Sequence, residues 1–520
     1  MSIEKPSTSS LHDNATADEK RRISTTGSAE EVFDFGGELS LPPPPTLTPE
    51  QEKKLWRKVD LRLMPILTLM YLFSFLDRGN IGNAKLQGLL TQLHLSSQQY
   101  NIAVTMYFIP YCLFEFPSKW LPGITVVWGI IMTLMGLERY GTFSYQQLVG
   151  VRFLLGVAEA GLFPGLMYYL TLWYPRHQLQ FRIALIEGSA SLAGAFSGLL
   201  AYAIHFMSGT AGLMGWSWIF VGSLISSSDF ATNPSVSVKI LEGMATVVVG
   251  ILASFVMVDF AATASFLTPE ERSFIVHKKK YDNSSVGEEE NFSSRHFWEA
   301  VTDWQIWIHI LVYMSIVAPL YGITLFLPTI INNFGHSPAI SQLLTVPPYV
   351  LAICAHFSDK MKTRSPFILL GLTFILIGFA INISNAPHGV KYFGTFFVVS
   401  GAYGSFPGVV AWLGNNLAGQ YKRGIGMALH IGIGNFAGAI AANVYRGQDA
   451  PRFLLGHGLE LMFVGIGFIA TPIVILSYMR INKKRDEAQR LALERGEANK
   501  YTNKQLREMG DRAPDFRYTL

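Results

Sequence analysis

Residues 61–83 read LRLMPILTLMYLFSFLDRGNIGN. From Leu63 to Leu76 only Thr68 and Ser74 interrupt the apolar run with small hydroxyls. At about 1.5 Å per residue the stretch is long enough to cross roughly 30 Å of hydrocarbon as a helix. Its far portion carries an acid and a base side by side, Asp77 and Arg78. Ionisable groups are costly in lipid, so this pair marks either a functional site or a helix end at the interface. Ahead of the run lies a cationic cluster, Lys53, Lys54, Arg57, Lys58 and Arg62. Before that, a Ser-, Thr- and Pro-rich stretch ends in Pro42–Pro45 and holds too little apolar surface to offset its ordering entropy. Residues 1–60 are therefore read as a disordered cytosolic tail. No secretory signal is visible, because the first apolar run starts only near Leu61.

The same reading extends along the chain. Apolar runs fall at 61–83, 99–117, 120–138, 147–172, 182–206 and 240–258, then at 305–331, 341–357, 366–384, 392–413, 424–445 and 459–479. That predicts an all-α polytopic membrane protein with twelve transmembrane helices in two six-helix halves, 61–258 and 304–479. A hydrophilic linker, 259–303, joins the halves, and a charged, partly helical cytosolic tail, 480–520, follows them. In the linker, Thr268-Pro269-Glu270-Glu271 has the pattern of a helix start.

Composition agrees. Of the 520 residues, 50% are hydrophobic and 15% charged, and the two tails hold about half of those charges. A soluble core with so few charges would expose large adhesive patches, which argues against a soluble enzyme. A net charge of +4 gives no basis for a nucleic-acid partner. Cys112 and Cys354 both lie in apolar runs and cannot frame a disulfide scaffold.

Loop charge sets the orientation. With a cytosolic start, alternate loops carry Lys119; Arg176 and Arg182; Lys278, Lys279 and Lys280; Lys360, Lys362 and Arg364; Lys422 and Arg423; then Lys483, Lys484 and Arg485. The opposite loops are sparse in cations, which places both termini in the cytosol. Two matched halves with a long linker suit a rocking transporter with its site near the midplane. A different transporter fold and a membrane enzyme are the alternatives. No Ser-His-Asp set, metal cluster or nucleotide loop is arranged for an enzyme, and no cofactor beyond a proton gradient is called for.

Charges inside spans are the best functional clues. Arg152 and Glu159 share one face of the fourth span, about 10 Å apart and too far for a direct pair within the helix. Each needs a partner, and Asp77 and Arg78 offer one of each sign. Arg78 or Arg152 could hold an anion by a two-point fork, with Asp77 and Glu159 as proton carriers. A static network fastening the first span to the fourth is the bland alternative. Asn415 and Asn435 are candidate ligand contacts, and His430 is a candidate proton site because histidine titrates near neutrality. A lone membrane histidine is also a common packing residue. Glu115 and Glu187, near predicted cytosolic ends, are read as structural or gating groups.

Lys58-Val59-Asp60, Leu63-Met64-Pro65 and Phe75 through Ala84 resemble the first span of fungal allantoate-permease-type transporters. These form the anion:cation symporter branch of the major facilitator superfamily. Gly161-Leu162-Phe163-Pro164-Gly165, Leu172-Trp173-Tyr174-Pro175, Gly424-Ile425-Gly426-Met427-Ala428 and Asp449-Ala450-Pro451-Arg452 are similar to the same family. The resemblance implies a major-facilitator-type fold, and proton-coupled import of a small carboxylate such as nicotinate, allantoate or pantothenate across the plasma membrane by a monomer. It places substrate and proton roles on Asp77, Arg78, Arg152 and Glu159, and it likens Asp359, Lys360 and Arg364 to the superfamily's gating loop without its glycines.

Three features depart from the family pattern. The connection at Pro117-Ser118 is short, a few residues of the family pattern are missing between Ala352 and His356, and a Ser-rich insert, Val221–Lys239, interrupts the first half. They fit errors of gene prediction, which sequencing the transcript decides. A nutrient sensor without net flux, or a chain disabled by these segments, are the alternatives to a working symporter.

Overall fold

The computed structural model describes residues 42, 44–114, 120–136, 144–205, 242–280, 294–350, 364–450, 452–495, 501, 505–506 and 509–520. The insert 221–239, the short connection at 117–120 except Trp120, Glu115, Asp359, Lys360 and the segment 352–356 lie outside them. No strand occurs among the described residues. The first half comprises α1 (Pro49–Ala84), α2 (Ser97–Leu113), α3 (Leu121–Gly136), α4 (Tyr145–Glu159), α5 (Leu162–Trp173), α6 (Arg176–His205) and α7 (Glu242–Val256). The linker carries α8 (Pro269–Lys280) and α9 (Ser294–Val301). The second half comprises α10 (Trp304–Asn332), α11 (Pro338–Leu343), α12 (Ser365–Ile383), α13 (His388–Asn416), α14 (Gln420–Gly434), α15 (Phe436–Val444) and α16 (Leu454–Glu494). Among the described residues, eight helical stretches are long and apolar enough to cross a membrane, and Leu121–Met135 and Gly243–Val256 are shorter apolar helices.

Several helices differ from the sequence reading for local reasons. Residues 49–60, assigned above to the disordered tail, are the first turns of α1. Thr48 and Gln51 cap each other's backbone N–H groups, Pro49 occupies the first turn, and Glu50 and Glu52 favour the N-terminal dipole. At 36 residues α1 spans about 54 Å, well beyond the hydrocarbon thickness. Its projecting turns grip α8, where Lys58 pairs with Glu271 at 2.7 Å and Lys278 pairs with Glu52. The Thr268–Glu271 capping box of α8 forms as the sequence predicts. The fourth span is broken between α4 and α5, because Pro164 has no N–H to offer the carbonyl of Ala160.

Beyond 480 the helical part of the tail forms as the sequence reads, and the segment after it differs. α16 continues to Glu494, and residues 509–520 do not extend outward but fold back across the second half. Lys422, at the start of α14, lies 2.6 Å from both Asp303 and Asp511. Tyr518 stacks on Tyr478 with centroids 4.5 Å apart, and Arg485 donates to the carbonyls of Phe516 and Asp511. Thr519 bonds Asn416 and Trp412, and the Arg364 amide donates to the Leu520 carbonyl at 2.9 Å. Burial and the neighbouring Asp511 push the Tyr518 hydroxyl up to about 12, so it remains a neutral donor. The end of the bundle carrying these contacts and the start of α1 is called here the tail end.

At the opposite, far end the two halves close on each other. Gln342 accepts from Gln87 at 3.0 Å, Asn443 donates to Thr105 at 2.7 Å, and a Cβ on Gly82 would collide with the Leu325 backbone. Such glycine contacts allow main chains to meet without a side chain between them.

Candidate functional site

Between the closed far end and the tail end lies a buried cluster built on α1, α2, α4 and α10. Gly156 of α4 lies so near α2 that a Cβ there would overlap the Tyr107 carbonyl. That approach places Glu159, one turn later, against the Tyr107 hydroxyl, which donates to Oε2 at 2.6 Å. The Ser74 hydroxyl donates to Oε1 at 2.5 Å, and Arg78 donates to Oε1 from Nη2 at 2.8 Å and Nε at 3.2 Å. Side-chain exposure is 4% for Arg78 and 0% for Glu159, so this is a fully desolvated ion pair.

Arg78 also crosses the interface between halves. Its Nη1 donates to the Tyr321 hydroxyl of α10 at 2.6 Å. Tyr321 in turn donates at 3.5 Å, and Tyr313 at 3.2 Å, to Oδ1 of Asn435 between α14 and α15. The guanidinium lies over the rings of Tyr111, Phe75, Tyr107 and Tyr321, at 4.7–5.9 Å. Cation–π contacts of this kind strengthen when water is excluded. Asp77 and Arg152 are buried, and Arg152 lies within electrostatic reach of Asp77, Glu159, Tyr100 and Tyr107.

The structure thus brings Asp77, Arg78, Arg152, Glu159 and Asn435 to one region, and distributes the other candidates elsewhere. Asn415 turns its amide oxygen to the guanidinium of Arg364, which also donates to Ala411 at 3.0 Å. Both belong to the tail end, where Asn415 lines a narrow cleft with Tyr168, Val410, Arg423 and Met427. His430 is not a lone histidine. Its Nε2 lies 3.1 Å from the His309 carbonyl, the two histidine rings are 6.2 Å apart, and the His430 ring packs edge-on against Tyr313 at 4.8 Å. Glu187, read as lying near a helix end, sits about 16 Å along α6 because that helix starts at Arg176. It accepts from Tyr71 at 3.3 Å.

Sequence reasoning missed Ser74, Tyr107, Tyr111, Tyr321 and His309. The hydroxyl spacing Ser74-to-Arg78, one helical turn, was the available signal for one of them.

A thin aromatic layer separates the cluster from the tail-end cleft. Phe163 of α5 stacks on Phe406 of α13 across the halves at 6.0 Å, flanked by Tyr71 at 5.3 Å and Tyr313 at 5.5 Å. The cleft begins one residue beyond Phe163 and one turn beyond Phe406, at Pro164 and Val410. The charged cluster is therefore occluded, with helix packing on one side and paired rings on the other.

Comparison with known proteins gives a consistent result. Residues 67–227 match the Major Facilitator Superfamily profile. An uncharacterised transporter of Schizosaccharomyces pombe is 31% identical over 96% of this chain and 95% of its own length. The high-affinity nicotinic acid transporter of Saccharomyces cerevisiae is 31% identical over 91% of this chain and 86% of its own. Among solved structures, the proton:xylose symporter XylE bound to 6-bromo-6-deoxy-D-glucose superposes with a TM-score of 0.57 at 15% identity, covering 78% of this chain and 94% of that one.

Proposed function

The chain belongs to the major facilitator superfamily as a secondary transporter and not an enzyme, and from that premise we propose that it imports a small organic anion together with protons. One observation carries the reading: a desolvated Arg78–Glu159 pair whose guanidinium also holds Tyr321 of the other half. An arriving carboxylate competes with Glu159 for the guanidinium fork. Once Arg78 is taken, Glu159 is left as an uncompensated buried charge, and it takes a proton to relieve that cost. Anion and proton then travel together, and loss of the anion to the tail side restores the ion pair and expels the proton. Asp77 and Arg152 balance each other within the same cavity, and His430 is a further proton candidate through Tyr313 and Asn435. Asn435 registers the state of Tyr321, whereas Asn415 meets the substrate at the tail-end cleft and Arg364, which holds Asn415, serves the gate.

The helix-one and helix-four motifs support placement in the fungal anion:cation symporter branch. The nicotinic acid relative supports a carboxylate among the candidates. The cationic loops support cytosolic termini, and the family likeness supports the plasma membrane. The test is uptake of a panel of labelled small carboxylates in a yeast strain lacking its related permeases. Uptake of at least one should rise in acidic medium and collapse with a protonophore. Uptake indifferent to both treatments would overturn proton coupling, and no carboxylate uptake at all would overturn the substrate class.

A further inference from the structure

We infer that Glu460 of α16 is a second proton-binding residue, and that its proton must be in place before the far end of the transporter can close. This deepens the transport reading above and rests on it. Glu460 is 1% exposed and lies about 9 Å into α16 from Leu454, within the spanning part of the helix. Neither of its carboxyl oxygens has a hydrogen-bond partner among the described residues. A bare carboxylate in such a place is among the most costly groups a protein can bury, whereas the neutral acid is tolerated. Glu159 is in the opposite condition, held by an arginine and two hydroxyls.

The groups facing Glu460 leave it without a counter-charge. From α10 it meets the backbone of Gly322, where a Cβ would run into the carboxyl group. Tyr445 packs on the same glycine, but its hydroxyl is engaged with Nδ1 of His457 at 3.0 Å. His457, one turn earlier on α16, lies against Phe379 of α12 and in the field of Lys391 of α13. Lys85, at the end of α1, is directed to the rings of Tyr100 and Phe326. None of these cations or hydroxyls reaches the carboxyl group.

The position couples to the ion-pair cluster by one residue. Gly322, which seats Glu460, follows Tyr321, which holds Arg78. Pro319, one turn earlier, removes a helix hydrogen bond and leaves this part of α10 able to bend. When the far end opens, water hydrates Glu460 and the acid releases its proton to the far side. Re-closing requires that proton back, because an ionised Glu460 cannot re-enter the seat on Gly322.

The experiment reads closure directly, with no need of a substrate. A Cβ on Gly447 would stand 3.5 Å from that of Ser97 in the other half, within disulfide range. The pair Ser97→Cys and Gly447→Cys, in a chain with Cys112→Ser and Cys354→Ser, reports far-end closure as cross-link yield in reconstituted vesicles. Thiol reactivity itself varies with pH, so each pH is read as the ratio to the same pair carrying Glu460→Gln. The ratio should fall severalfold from acidic to alkaline medium. A constant ratio would overturn the inference. Gly322→Ala evicts the carboxyl group from its seat and should cross-link poorly even in acid, and full cross-linking there would overturn the inference equally. Protonophore-resistant uptake would instead defeat the symport reading, leaving this result intact.

Discussion

Replacing Arg78 by lysine is expected to reduce uptake of the transported anion about a hundredfold or more, while leaving the protein folded and in the membrane. Lysine keeps the charge beside Glu159, so the cost of an unpaired buried carboxylate, on the order of 3–5 kcal/mol, is avoided. It cannot keep the geometry. The guanidinium serves Glu159 with two nitrogens and Tyr321 with a third, in one plane and against four aromatic rings. An ammonium is a point charge that cannot reproduce a planar fork. Tyr321→Phe separates the two functions, because it removes the link to the second half and leaves the ion pair. It should slow uptake by about tenfold, the worth of one hydrogen bond to a charged group. Labelled uptake normalised to surface protein checks both. Wild-type uptake in the Arg78→Lys protein would remove this site from the mechanism.

Lys422→Met is expected to give the largest loss of stability of any single substitution at the tail end. The ammonium sits between two carboxylates at 2.6 Å each, and Lys422, Asp303 and Asp511 are 6%, 3% and 1% exposed in their side chains. Taking it away leaves two like charges buried together, a cost of about 3–5 kcal/mol before relaxation. Thermal unfolding in detergent should shift down by several degrees. Adding Asp511→Asn to the same chain should recover part of the loss, and adding Asp303→Asn as well should recover most of it. Neutral replacement of a whole buried ionic group is often harmless where removal of one member is not. Equal melting of wild-type and Lys422→Met protein would show that the triad contributes nothing to stability.

Much of this was legible in the chain because membranes impose few rules. Length and hydropathy located the apolar helices. The four central charges stood out because so few ionisable groups interrupt those helices. Their pairing was not legible. Nothing in the spacing of Arg152 and Glu159 says which of two neighbouring charges on α1 each will meet, and the answer came from Gly156 drawing α4 against α2. Tyrosines are ordinary residues in such helices, so Tyr107 and Tyr321 gave no signal. Glu460 was hidden by a boundary. A span read as 459–479 leaves it at an interface where charge is cheap, whereas α16 begins at Leu454. Charge density led the residues after 480 to be read as an extension, and the aromatic pair Phe516 and Tyr518 was the overlooked sign of packing.

The returning segment also bears on how the protein is made. Asp511, Tyr518 and Leu520 fasten the beginnings of α10, α12 and α14, yet they leave the ribosome after every one of those helices has been inserted. Lys422 and Arg364 therefore gain these partners only after translation has passed Leu520. A nonsense mutation just before Asp511 removes the returning segment 511–520. It should deliver the protein to quality-control degradation, as pulse-chase labelling would reveal by a shortened half-life.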